Sequence, residues 1–198
     1  MRWLSVLLCL AGMVCGTLGE WQWVYPWKEL ATTDTKPSAR YIHSSILYNG
    51  QMVMFGGWDG SNNNDVWTLN LTSHSWNKLT TTGTEPLARR YHSSIVYNEK
   101  MVIFGGNNGP GGWYSSNTLN DAWTLDLTSY AWTQLTTTGT KPSARYVHSS
   151  ILYNGQMVMF GGYASSAKND VWTLNLTSYS WTELTTSVTK PSARHGQS

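Results

Sequence analysis

"ARYIHSSILYNGQMVMFGG" occupies residues 39–57 and "ARYVHSSILYNGQMVMFGG" residues 144–162, and the two differ only at Ile42 against Val147. Between them, residues 88–106 read "ARRYHSSIVYNEKMVIFGG", a third copy of the same text. Each copy opens after a proline, and Pro37, Pro86, Pro142 and Pro191 stand 49, 56 and 49 residues apart. Each Gly-Gly is followed by a polar loop and then by "NDVWTLNLTSHSWNKL" (64–79), "NDAWTLDLTSYAWTQL" (120–135) or "NDVWTLNLTSYSWTEL" (169–184). A fixed period near fifty marks a tandem array of one supersecondary unit.

Within a unit the apolar residues alternate with period two, in strand-sized runs bounded by Gly, Asn and Ser. Four strands follow, at about 43–48, 51–56, 65–71 and 75–79 in the first unit. Asn49-Gly50 and Asn154-Gly155 signal tight type I′ hairpins, which need two residues at positive φ. Asn98-Glu99-Lys100 stands there in the middle unit and lacks the glycine, which leaves that turn open. The threonine runs, such as "LTTTGT", read as exposed loops between units, and no helix is expected beyond the N-terminal segment.

Only 12% of the 198 residues are charged, while twelve Trp and eleven Tyr supply ample apolar area for a core. "MRWLSVLLCLAGMVCGTLGE" places one Arg before an apolar run and small residues, the pattern of a secretory signal peptide over residues 1–19. A secreted or periplasmic protein is therefore expected. Both cysteines, Cys9 and Cys15, lie inside that leader, so the mature chain has no thiol for a disulfide or a nucleophile. Without Arg2 the balance is twelve basic to eleven acidic residues, too even for an electrostatic nucleic-acid binder. No later stretch is apolar enough to span a membrane as a helix.

The Gly-Gly ends (Gly56, Gly57, Gly105, Gly106, Gly161, Gly162), the third-strand tryptophans (Trp67, Trp123, Trp172) and the fourth-strand tryptophans (Trp76, Trp132, Trp181) together resemble the kelch repeat. The family's third-strand aromatic is commonly Tyr, where this chain has Trp. The resemblance covers residues 20–198. It implies an all-β, kelch-type β-propeller of four-stranded antiparallel blades around a channel, with the tryptophans packed between blades. Three blades are complete, at about 37–85, 86–141 and 142–190, with partial strands at 20–36 and 191–198. "WVYPWKEL" aligns with the fourth strand, Trp27 on Trp76 and Leu30 on Leu79. Since such propellers have four to eight blades, three accounts stand open: a piece of a longer propeller, a homo-oligomer pooling blades, or an open arc.

Arg40, Arg89 and Arg145 recur before the innermost strand, near one mouth of the channel, with Arg194 at the fourth start. The resemblance implies carboxylate-recognising arginines there. A residue repeated in every blade also suits a structural role, pairing with Asp65, Asp121 and Asp170. His43, His92 and His148 read as structural hydrogen-bonding groups in preference to a metal set, and no cofactor or metal is expected. Departures from the repeat are the better functional clues. The middle loop, "NNGPGGWYSSNTL", has thirteen residues where the other two have six, and presents Trp113 and Tyr114. The shorter loops offer Trp58, Asp59 and Tyr163, and Arg90-Tyr91 replaces Tyr41-Ile42. Asn70-Leu71-Thr72 and Asn175-Leu176-Thr177 fit the glycosylation acceptor pattern of a eukaryotic secreted protein.

These features fit a binding scaffold that recognises a protein or carbohydrate partner through its loops and channel mouth. Among the family's enzymes, a galactose-oxidase reading fails for want of the cysteine its cofactor requires, and the Glu, Asp and His set of the iron-dependent specifier type is absent. A sialic-acid mutarotase needs only a placed acid and base and stays open. So does a self-assembling extracellular structural protein.

Overall fold

A computed structural model describes residues 13–15, 21–23, 29–32, 35–111, 117–185 and 189–196. The chain separates into two units, residues 1–31 and 32–198. In the first, β1 (Met13–Cys15) pairs antiparallel with β2 (Trp21–Trp23). That hairpin straddles the expected leader boundary. Trp27 lies outside the described residues, and residues 29–32, part of the expected outer strand, contain no strand.

The second unit holds three four-stranded antiparallel sheets, each in simple sequential order. The first blade is β3 (Ser44–Tyr48), β4 (Gln51–Phe55), β5 (Val66–Asn70) and β6 (Trp76–Lys78). The second is β7 (Ser93–Tyr97), β8 (Lys100–Asn107), β9 (Thr118–Asp126) and β10 (Trp132–Gln134). In the third, β11 (Ser149–Tyr153) and β12 (Gln156–Phe160) precede a small hairpin of β13 (Tyr163–Ala164) and β14 (Ser166–Ala167), then β15 (Val171–Asn175) and β16 (Trp181–Leu184). No helix occurs among the described residues. The fold is all-β, a kelch-type partial propeller.

Register repeats with the sequence. Ile46 faces Val53 and Val53 faces Thr68, as Ile95, Val102 and Thr124 do in the next blade and Ile151, Val158 and Thr173 in the last. The tight turns place Asn49 and Gly50 at φ 45° and 70°, and Asn98 and Glu99 at 45° and 58°. The turn left open by the sequence thus has the same shape, held without glycine. Leu127 N donates to Glu99 O at 2.8 Å, as Leu71 N does to Gly50 O at 3.0 Å.

Blades stack because each has two apolar faces and can bury both only against neighbours. Ile46, Val53, Phe55 and Val66 of the first blade meet Met101, Ile103, Trp123 and Leu125 of the second. Ile95, Val102, Phe104 and Ala122 meet Met157, Met159, Trp172 and Leu174 of the third. Trp132 packs on Phe55 with ring centroids 4.9 Å apart, and Trp181 on Phe104 at 4.8 Å. The linkers add to this joint: Thr82 bridges Ala131 and Thr138 bridges Ser180, both in parallel. Gly83 is needed there, since a Cβ would lie 2.6 Å from Trp132 O.

Candidate functional site

The first strands of consecutive blades lie side by side, β3 beside β7 and β7 beside β11. They run from the end bearing the Arg segments and Gly-Gly loops, the mouth end, to the end bearing the tight turns. At the mouth each arginine joins its own blade together. Arg89 Nη1 and Nη2 donate to Asp121 Oδ1 and Oδ2 at 2.7 and 2.8 Å, Nη1 also reaches Gly105 O at 2.9 Å, and Nε reaches Leu87 O at 3.0 Å. Arg40 binds Asp65 and Gly56 O in the same way, and Arg145 binds Asp170 and Gly161 O. Oδ2 of each aspartate, already bound by the arginine Nη2, also accepts an indole N–H, from Trp67, Trp123 and Trp172.

The same segments also join neighbouring blades. Arg89 O accepts from Gly57 N at 2.9 Å, and Arg145 O from Gly106 N at 2.9 Å. A Cβ on Gly56 or Gly105 would stand 2.6 or 2.7 Å from those carbonyls, so the double glycine is a close-approach requirement. Arg89 and Arg145 are fully buried. Burial raises the Asp65, Asp121 and Asp170 carboxyls, but the paired arginine and the indole outweigh it and hold each below the ordinary range.

The histidines link blades too. Ser44 Oγ shares a 2.7 Å hydrogen bond with His92 Nε2, and Ser93 Oγ a 2.8 Å bond with His148 Nε2. Burial first, then Arg89 or Arg145, lowers both imidazoles, His92 far below its usual value and His148 to about 3. His43 is lowered by burial and by Arg40. Among the described residues, no group of three or more His, Cys, Asp or Glu could hold a metal ion.

Before each inner strand one residue sits in the left-handed region: Ile42 at φ 55°, Tyr91 at 60° and Val147 at 50°. For β-branched or bulky side chains this is a true outlier. A backbone ladder imposes it, Tyr91 N donating to Ile42 O, Val147 N to Tyr91 O and Gly196 N to Val147 O at 3.0, 3.0 and 3.1 Å. Gly196, at the equivalent position of the fourth start, has φ 72°, and a glycine there is a sequence hint of this conformation that sequence reading did not use.

Two departures from the repeat, remote in sequence, meet on this frame. Arg90 stacks on Trp58, its guanidinium carbon 4.4 Å from the ring centroid, and Nη1 donates to Asn62 Oδ1 at 2.7 Å and Gly109 O at 3.2 Å. Asn62 Nδ2 also donates to Gly109 O, at 3.0 Å. The loop of the first blade is thereby tied to the long loop of the second, whose base continues the ladder through Asn107 opposite Thr118. Arg90 is only 3% exposed, so it positions these loops from beneath.

A row of rings extends from here, Tyr91 to Tyr146, Tyr163 and His195, with centroids 5.6, 5.5 and 5.3 Å apart. Tyr41 is exposed, Trp58, Tyr91 and Tyr163 are half-buried, and Tyr146 is buried. Asp59 is exposed and accepts from Ser38 Oγ at 2.5 Å. Its carboxyl is lowered to about 2, chiefly by that bond. Trp113 and Tyr114 lie outside the described residues. Of the candidate ligand contacts, Trp58, Asp59 and Tyr163 are at the surface, whereas Arg40, Arg89, Arg90 and Arg145 are turned into the protein. Sequence reading singled out Tyr91 beside Arg90 but missed Asn62 and His195, and the buried Tyr146 that links the rings.

At the opposite end each blade joint leaves a cleft. One of about 230 Å³ is walled by Tyr48 and Tyr130, and one of about 110 Å³ by Tyr97 and Tyr179. A family model described as the KLHDC2/KLHL20/DRC7 Kelch-repeats domain matches residues 22–198. No curated protein matches the chain.

Proposed function

Since the chain belongs to the kelch-repeat family, a fold of the general interaction type, we propose that it is an exported, non-catalytic binding module whose mouth end takes a protein partner. The meeting of Trp58, Arg90 and the long second-blade loop carries this reading. Repeated positions account for the fold, yet here two non-repeated features are joined into one rigid aromatic surface. Rigid Tyr and Trp offer large contact area at low entropic cost, and loops on a fixed scaffold are the usual place for recognition.

The test is site-directed photo-crosslinking from position 41 in the exported environment. A partner captured there, lost with Trp58→Ala plus Tyr163→Ala, and not captured by a probe at position 49 on the opposite end, is the expected result. Equal capture from both ends would refute the mouth assignment. Sialic-acid ring opening above background would replace the binding reading with the mutarotase one. Carbohydrate recognition by the same rings predicts competition by free sugar.

A further inference from the structure

The two Asn-Leu-Thr acceptors fall at the same point of two blades. Asn70 ends β5 and Asn175 ends β15, each opening the turn to the outer strand. Asn70 Oδ1 accepts from Thr72 N at 2.8 Å and Ser73 N at 2.9 Å. Asn175 Oδ1 accepts from Thr177 N at 2.9 Å and Ser178 N at 2.8 Å. Two backbone donors demand the oxygen, so the amide is oriented with its carbonyl toward them and Nδ2 left outside these two bonds; Asn70 and Asn175 are themselves half-buried. Nδ2 is the atom that carries an N-linked sugar. Thr72, Ser73, Thr177 and Ser178 are all exposed.

The middle blade makes the same turn with a carboxylate. Asp126 Oδ1 accepts from Thr128 N and Ser129 N, both at 2.9 Å. The turn therefore uses only an acceptor oxygen, which Asp supplies as well as Asn. Nothing in the turn calls for the amide nitrogen that the first and third blades provide beside a threonine two residues on.

We propose that Asn70 and Asn175 carry N-linked glycans, an inference that rests on the export reading above. In the transfer, Nδ2 bonds to the anomeric carbon of an oligosaccharide carried on a polyprenyl diphosphate. The anomeric carbon–oxygen bond breaks, the diphosphate leaves with the electron pair, and the amide gives up one proton. Leu71 N bonds Gly50 O and Leu176 N bonds Gly155 O, which places both acceptors beside the tight turns, at the end opposite the mouth. Glycans there cover that end of the first and third blades and leave the mouth as the open face.

The experiment is secretion of the full chain, with its own leader, from a eukaryotic cell, followed by enzymatic deglycosylation in heavy-oxygen water and peptide mass analysis. Expected are two modified sites, each lost singly in Asn70→Asp and Asn175→Asp. Asp preserves the turn, as Asp126 does, so these variants fold. Asp126→Asn is expected to add a third glycan, and its failure to do so would overturn the turn geometry as the determinant. A secreted but unmodified chain overturns the inference and leaves export standing. A chain retained unmodified in the cytosol overturns the export reading and the glycans with it.

Discussion

A buried guanidinium is tolerated at Arg89 because four hydrogen bonds, two of them to the Asp121 carboxylate, meet its N–H groups. Asp121→Ala removes two of those bonds and strands the Trp123 indole, leaving a charge with a fully buried side chain. The expected loss is about 3–5 kcal/mol, nearer the lower figure because Asp121 is partly exposed. Urea unfolding of the purified chain measures it. His92 and His148 make a second prediction. Their folded values lie below the unfolded one near 6.5, so the unfolded chain takes up protons first as pH falls. Stability is full above about pH 6.5 and declines below it, by about 1.4 kcal/mol per pH unit for each site. The decline continues until pH reaches the folded values, about 3 for His148. Unfolding midpoints at pH 7 and 5 check this, and His148→Gln should reduce the slope while His92 and, more weakly, His43 keep the remainder.

Turns and linkers show how single elements constrain their residues. Glu99 occupies a left-handed position that Gly50 and Gly155 fill in the other blades. Glu99→Gly is expected to gain up to about 1 kcal/mol by relieving that strain, read as a higher denaturant midpoint at unchanged m. Gly83→Ala should act oppositely and more strongly. It adds a left-handed penalty of about 1–2 kcal/mol to a contact 2.6 Å from the next blade's Trp132 O, a backbone atom that cannot yield without opening the joint.

Across the whole propeller, equal sequence has unequal surroundings. Ile46 and Ile95 are 9% and 6% exposed, while Ile151, in the same register of its blade, is 63% exposed. The face of the third blade that carries Ile151, Tyr153 and Leu184 is uncovered among the described residues. Ile95→Ala should therefore cost about 2–4 kcal/mol, the usual price of a buried truncation. Ile151→Ala should cost under about 1 kcal/mol, because little burial is lost. Thermal unfolding of both variants gives the comparison, and equal losses would mean that a further blade or a second copy covers the third blade in solution.

The repeat by itself determined the four strands of each unit and the three units, because period-two alternation and Gly-Gly punctuation are local properties of the chain. It also pointed to the Arg–Asp pairing, since both partners recur in every unit. The tight turn at Asn98-Glu99 was not legible, because a tertiary ladder on both sides can force a glycine conformation on glutamate. Nor was the surface around Trp58, Arg90 and Gly109, whose members come from three separate segments. Only the stacking of blades decided that a non-repeated arginine, Arg90, holds loops of two blades together. Sequence specifies what each blade is, through short-range pattern, whereas neighbouring loops meet according to how the blades are rotated about their axis.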